Sequence, residues 1–383
     1  MADRTSNSEI RNPNLNRLVP LLLSWFAKNA RDLPWRRTRG PYAIWVSEIM
    51  LQQTQVKTVI PYWERWLREL PTIRSVANAG PDKIHKLWEG LGYYTRARNL
   101  QKAAKQIVEK HGGRFPENFD EVLALPGIGR YTAGAVCSIA FNQPTPVLDG
   151  NVVRVLTRVF GIAQNPHEKK ANAQLWQIAE KLICRAKSAK KTKKKNTSRP
   201  SQPARETNSC SNLNQSLMEL GALICTPRNP QCGICPVKKL CVAFRENRVE
   251  ELPNLGKRKT ATARRFAAFI VEQNGRFLVR QRPAGVVNAH LWEFPNTEIL
   301  NGNSNPKIAA KYVLGILPSE VEPLCTVKHS ITRYRITLEA FRASLGGTSS
   351  CGIGVWKRRA QLDQLAFSSA HRTILEKLPF ATE

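Results

Sequence analysis

Leu125-Pro126-Gly127-Ile128-Gly129-Arg130-Tyr131-Thr132-Ala133 sets two glycines directly ahead of a segment with good helix formers. Glycine takes backbone conformations closed to other residues, so this pattern predicts a tight turn between two helices. The turn would aim its N–H groups outward at a helix N-terminus, a geometry that cradles a phosphate without reading base sequence. A plain interhelical turn is the simpler reading of the same residues. Leu125, Gly127 and Gly129 are therefore the candidate backbone contacts of the turn.

The chain on either side is helical in texture. Leu18, Leu21, Leu22 and Phe26, and later Trp63, Trp66 and Leu67, recur at helical spacing, and residues 17–183 read as consecutive amphipathic helices. Two carboxylates stand out. Glu48 lies in Ile44-Trp45-Val46-Ser47-Glu48-Ile49-Met50-Leu51-Gln52-Gln53-Thr54, an acid inside an apolar run. An acid there must be paired, protonated or functional, and a carboxyl with a raised pKa is a good general acid. Asp149 lies in Pro146-Val147-Leu148-Asp149-Gly150-Asn151-Val152, where the bland reading is a helix N-cap.

Past the helical run Leu217, Leu220, Leu223, Ile224 come Cys225, Cys232, Cys235 and Cys241, spaced C-x6-C-x2-C-x5-C. Four thiolates this close can wrap an iron–sulfur cluster or a zinc ion; disulfides are the third reading. The other five of the nine cysteines (Cys137, Cys184, Cys210, Cys325, Cys351) show no pairing pattern.

The 383 residues carry 59 Lys+Arg against 29 Asp+Glu, a net charge of +30, with 42% hydrophobic residues. Such an excess implies a polyanionic partner, nucleic acid before membrane, because no apolar run reaches the roughly 18 residues that span a bilayer. The polar N-terminus lacks a secretion signal, which predicts a cytoplasmic, nucleoid-associated protein if the source is bacterial. Residues 185–211, with Lys190, Lys191, Lys193, Lys194 and Lys195, read as a flexible basic insertion, and 246–264 as a linker. Beyond it, Phe266–Val271 and Arg276–Arg280 flank an Asn274–Gly275 turn, and Cys325–Lys328 and Tyr334–Phe341 are further strands, so 265–383 forms an α+β domain.

Taken together these segments resemble the adenine DNA glycosylases known as MutY, in the helix-hairpin-helix superfamily that includes endonuclease III. The matching stretches run in order: Leu33-Pro34-Trp35-Arg36, Ser47 to Val56, Gly90-Leu91-Gly92-Tyr93-Tyr94-Thr95-Arg96-Ala97-Arg98-Asn99-Leu100, the hairpin, Leu148 to Arg154, and Glu219-Leu220-Gly221-Ala222 leading into the cysteines. The resemblance implies an all-α glycosylase domain over 17–245 with its active site in a cleft between two helical subdomains. It also implies a [4Fe–4S] cluster on the four cysteines and removal of adenine mispaired with 8-oxoguanine or guanine in duplex DNA. By the same token Glu48 would protonate adenine at N7, Asp149 would stabilise the cationic sugar, and Asn151 would order the site. Gln53 and Tyr93 would enter the duplex, and Arg31, Trp35, Arg36 and Gln215 would surround the adenine pocket.

Tyr131 stands where strand-cutting relatives carry a lysine; without an amine there is no Schiff base, so base removal without lyase activity is expected. Residues 265–383 resemble the C-terminal Nudix-like domain that reads 8-oxoguanine, through Phe277-Leu278-Val279-Arg280-Gln281-Arg282-Pro283 and Leu291-Trp292-Glu293-Phe294-Pro295. No acid cluster for magnesium follows Pro295, so the domain is expected to read rather than hydrolyse. Its loop departs from the family's Phe-Ser-His: this chain has His329-Ser330-Ile331-Thr332-Arg333, leaving Thr332 and Arg333 as candidate contacts to the lesion strand. The competing readings are an endonuclease III-like glycosylase and lyase for oxidised pyrimidines, and a non-catalytic iron–sulfur DNA-binding protein. A monomer suffices for one-site recognition.

Overall fold

The computed structural model describes residues 14–188, 209–256, 260–299, 305–331, 333–346 and 353–378. The lysine run at 190–195, Cys351 and Thr332 lie outside them. The chain packs as two units, Met1–Gln53 with Gln106–Lys257, and Thr54–Lys105 with Arg258–Glu383.

Along the chain the helices are α1 (Asn14–Asn29), α2 (Pro41–Leu51), α3 (Val56–Glu69), α4 (Ile73–Asn78), α5 (Pro81–Trp88), α6 (Thr95–His111), α7 (Phe119–Leu123), α8 (Arg130–Phe141), α9 (Gly150–Phe160), α10 (Lys169–Ser188), α11 (Ser209–Leu223) and α12 (Val242–Arg245). Local chemistry sets their ends. Proline opens α2 and α5, where its fixed φ suits the first turn. The side chains of Asn118 and Asp149 cap α7 and α9, while Gly161 and Asn142, both left-handed, close α9 and α8.

In the first unit the apolar stripes of α1, α9, α10 and α11 share one core around Leu18, Leu22, Val155, Leu156, Leu175, Leu213, Leu217 and Leu220. The short α11–α9 crossing depends on Gly221: a Cβ there would stand 2.6 Å from that of Asn151. Residues 246–256, expected as linker, are held here instead. Leu252 is buried, and its carbonyl accepts from Arg158 Nε at 2.7 Å. The expected strand onset also moves, because β1 begins at Thr262. Among the described residues no helix is long and apolar enough to cross a membrane.

In the second unit, among the described residues, helices α3 to α5 and the first part of α6 accompany the strands β1 (Thr262–Ile270), β2 (Glu272–Gln273), β3 (Arg276–Gln281), β4 (Trp292–Glu293), β5 (Asn296–Glu298), β6 (Glu320–Ile331), β7 (Tyr334–Ser344) and β8 (Val355–Arg358). One sheet runs β5-β1-β7-β6; the other joins β2, β3 and β4, with β8 on β3. β1 lies parallel to β7, and β6 and β7 form a long antiparallel hairpin whose tip pairs Ile331 with Tyr334. Helix α13 (Pro306–Leu314) lies between β5 and β6, and α14 (Arg359–Gln364) and α15 (Ser369–Glu376) follow β8. The apolar run of β1 is buried on both faces. Ala268 and Ile270 meet Phe367 and Ile374 on one side, while Ala267, Phe269 and Val271 meet Val313 and Leu314 on the other. That is why it reads as a continuous apolar stretch rather than an alternating one.

Candidate functional site

Glu48 sits on α2, which is buried along most of its length, and only 5% of it is exposed. α2 packs against α8, the helix behind the hairpin. This crossing brings Tyr131 to the acid: the Tyr131 hydroxyl donates to Glu48 Oε2 at 2.7 Å and touches Met218 Sδ at 3.5 Å. Burial pushes Glu48 up to about 7; the Tyr131 bond opposes this, nearby Asp149 adds to it, and Arg36 opposes it. At neutral pH the carboxyl is therefore poised between acid and base. Burial also drives the Tyr131 hydroxyl well above its ordinary range, with both carboxylates adding to it, so it acts as a proton donor in a hydrogen bond and not as a phenolate.

Asp149 is both the cap and a member of the site. Its Oδ1 accepts from Val152 N at 2.7 Å, and its Oδ2 accepts from Asn151 Nδ2 at 3.0 Å. Burial raises its pKa, while these bonds and Arg154 hold it back. The helix N-terminus behind it also favours negative charge. Asn151 in turn accepts from Arg154 Nη2 at 2.7 Å.

Arg31, Arg36 and Gln215, expected around an adenine pocket, are joined by hydrogen bonds, and the two arginines share a partner that the sequence reading did not single out. Glu219, 1% exposed, accepts from Arg31 N, Nε and Nη2 at 2.9, 2.9 and 2.7 Å and from Arg36 Nη1 and Nη2 at 3.0 and 2.9 Å. Arg36 Nε also donates to Gln215 Oε1 at 3.1 Å. Burial alone would raise the Glu219 carboxyl, but the two guanidiniums outweigh it and hold the group down to about 2. The available signal was an acid in the apolar run Leu217–Leu223. Trp35 is buried in the short 3₁₀ turn Pro34–Arg36.

In the hairpin, Gly127 has φ +76 and needs glycine. Gly129 caps α8 in an extended conformation with φ −98 and no side-chain cap, so its value lies in the open space beside it. Leu125 is buried and its carbonyl accepts from Ile128 N at 3.1 Å, so this residue shapes the turn. Gln53, exposed just past α2, has φ +56. In the second unit Tyr93 has φ +48 and is 45% exposed. Left-handed backbone at bulky residues is uncommon and gathers where function demands it. Arg333, at the β6–β7 tip, donates to the Tyr334 hydroxyl at 3.0 Å and lies over that ring. Its neighbour Thr332 is outside the described residues.

The four cysteines line a single cavity with Val155, Leu220, Ile224, Val237 and Arg158. Among the described residues no three His, Cys, Asp or Glu side chains converge closely enough for a single metal ion. Arg158 Nη1 donates to Cys225 Sγ at 3.4 Å and Cys241 Sγ to the Arg158 carbonyl at 3.4 Å. Four thiols lining one cavity are the donor set that a [4Fe–4S] cluster takes, so the residues present fit that group.

Residues 46–181 match the HhH-GPD superfamily base excision DNA repair proteins, 225–241 the iron-sulfur binding domain of endonuclease III, and 266–377 the NUDIX domain. A solved thermostable thymine-DNA glycosylase superposes with a TM-score of 0.52 at 29% identity, over 62% of this chain and 100% of its own. Fold and site thus define a base-excision glycosylase of the helix-hairpin-helix class with an iron–sulfur loop and a Nudix-type domain. The adenine DNA glycosylase of Homo sapiens is 35% identical over 388 residues, covering 85% of this chain and 66% of that protein. That of Buchnera aphidicola from Schizaphis graminum is 37% identical over 277 residues, covering 72% and 74%. The chain belongs to the adenine DNA glycosylase family, and spans about two thirds of the human relative's length.

Proposed function

We propose that this protein is a monofunctional glycosylase that removes adenine paired with 8-oxoguanine, or with guanine, from duplex DNA. The observation that carries the reading is the pair of carboxyls in different surroundings: Glu48 buried and pushed up to about 7, Asp149 bonded by Val152 N–H and Asn151. Unequal environments divide acid from base.

The chemistry follows from those positions. The adenine must leave the stack to be reached. Glu48, protonated, gives its proton to the leaving adenine as the N-glycosidic bond breaks, so the base departs neutral. Asp149, ionised, faces the positive charge that develops on the sugar, as in glycoside hydrolysis. A water then adds its oxygen to C1′ and returns a proton to Glu48, leaving adenine and an abasic sugar. Tyr131 holds Glu48 and offers no amine for a Schiff base, which disfavours the endonuclease III-like lyase alternative. Cys225, Cys232, Cys235 and Cys241 would hold the [4Fe–4S] cluster, which shapes the loop after α11. Gly127, Gly129 and the N-terminus of α8 would take a phosphate; Gln53 and Tyr93 would fill the space left by the flipped base. Arg333 and Thr332 would meet the base opposite adenine.

Single-turnover excision on duplexes with adenine opposite 8-oxoguanine tests this. The expected result is strand cleavage only after alkali. Cleavage without alkali, or none with either treatment, refutes it.

A further inference from the structure

One carboxylate in the second unit fastens the turn that carries Tyr93 to the C-terminal chain. Glu89 follows α5 and directly precedes Gly90-Leu91-Gly92-Tyr93. Its Oε1 accepts from Phe367 N at 2.9 Å and from Arg372 Nε at 2.8 Å, while its Oε2 pairs with Lys86 Nζ at 2.7 Å. Lys86 Nζ and Arg372 Nη2 meet again on the Leu365 carbonyl, at 3.2 and 2.6 Å. The Glu89 and Arg372 side chains are only 14% and 19% exposed, so water screens this pair far less than it screens a surface ion pair. A second contact lies beside it: Arg98 Nη1 donates to the Ala289 carbonyl at 3.1 Å, and the rings of His85 and His290 stack 6.3 Å apart.

The turn is one that needs holding. Gly90, Gly92 and Tyr93 have φ of +99, +69 and +48. Tyr62 OH donates to the Glu89 carbonyl at 2.7 Å, and Trp88 Nε1 to that of Gly92 at 3.1 Å. On the other side, α15 carries Arg372 and packs against β6. His371, next to Arg372, accepts from Phe294 N at 3.2 Å. β6 ends at the hairpin tip, Ile331 opposite Tyr334. A continuous set of packed elements thus runs from the Tyr93 turn through Glu89, Arg372 and α15 to the hairpin.

We propose that Glu89 is a positioning residue for discrimination of the base opposite adenine: through Arg372 it joins the Tyr93 turn to the β6–β7 hairpin, so that what the hairpin meets sets how firmly the turn is held. The proposal rests on the adenine-glycosylase reading for its substrate and on geometry alone for the joint, and two measurements separate them. In the full chain without DNA, Arg372→Met is expected to raise amide hydrogen exchange across residues 90–94 while leaving α9 unchanged. Unchanged exchange at 90–94 overturns the joint whatever the enzyme's substrate. In single-turnover excision, Glu89→Gln is expected to lower the ratio of rates opposite 8-oxoguanine and guanine by about tenfold, the size of a typical coupling between sites. The rate opposite guanine itself should hold within about twofold. The reversed pair, Glu89→Arg with Arg372→Glu, should recover part of the ratio. Equal slowing on both duplexes shows mere structural support and overturns the proposal. A parent enzyme with no preference for 8-oxoguanine refutes the substrate reading, and the exchange result still decides the joint.

Discussion

Tyr131→Phe removes one oxygen from the site and should move the pH profile in a direction that can be worked out beforehand. The lost hydroxyl donates to Glu48 Oε2 at 2.7 Å, a bond that favours the ionised carboxyl and opposes the burial that pushes Glu48 up to about 7. Hydrogen bonds to charged groups contribute about 1.5–3 kcal/mol, and each pKa unit is about 1.4 kcal/mol, so the Glu48 pKa should rise by roughly one to two units further. If Glu48 is the general acid, the alkaline limb of single-turnover excision, near 7 in the parent, should shift upward by that amount. The plateau should fall several-fold, because a weaker acid protonates the leaving base less readily. Stability carries the same sign. With the folded pKa above the ordinary 4.5, the native state holds the proton more tightly than the unfolded chain. Stability is full below the unfolded value and declines as pH rises through about 7, by about 3 kcal/mol in all. In Tyr131→Phe that decline should extend to higher pH. An alkaline limb that stays in place, or moves to lower pH, refutes the assignment of Glu48 as the acid held by Tyr131.

Other expectations follow from the same geometry. Asp149→Asn keeps a good N-cap on α9 but removes the charge, so excision should fall at least roughly 10²–10³-fold with almost no change in melting temperature; a large loss of stability would show that the cap is its main role. Tyr131→Lys places an amine beside Glu48, within electrostatic reach of Asp149, and borohydride should then trap an enzyme–DNA adduct that the parent does not form. Glu219→Gln leaves two guanidiniums without their buried counter-charge, which should cost about 3 kcal/mol or more and lower the melting temperature by roughly 6–12 °C in a thermal scan.

Much of this was legible in the sequence, and the boundary has physical causes. Glu48 stands out because an acid in the run Ile44–Leu51 violates the apolar pattern, and the structure buries it. β1 reads as a strand because both its faces are covered, leaving no polar alternation. Asp149 defeated a choice between cap and site residue: it has two oxygens and uses each differently. Glu219 stayed hidden because its partners Arg31 and Arg36 lie some 180 positions away, at separations of 188 and 183. The grouping of residues 54–105 with the C-terminal chain is equally non-local, since Glu89 meets Phe367 across 278 positions. Periodicity reports what a segment buries, not which distant segment covers it.

Helix α9 explains how a cluster loop can matter to a reaction it does not touch. Its N-cap is Asp149 and its first turn holds Asn151. One turn on, Arg154 donates to Asn151 Oδ1, to the Gly221 carbonyl at 2.8 Å and to the Cys225 carbonyl at 2.6 Å. A further turn on, Arg158 donates to the Thr226 carbonyl at 2.8 Å and to Cys225 Sγ. The i, i+4 spacing puts both guanidiniums on one face, against the start of the cysteine loop. Burial favours the protonated, neutral form of the Cys232, Cys235 and Cys241 thiols, pushing Cys235 up to about 12; bound iron would hold the four cysteines as thiolates in fixed positions. Fixing Cys225 fixes the carbonyl that anchors Arg154, and through Asn151 the orientation of the Asp149 carboxylate. The loop thereby sets the geometry of the charge that, on the proposed mechanism, would face the sugar, although none of its cysteines need approach the DNA base.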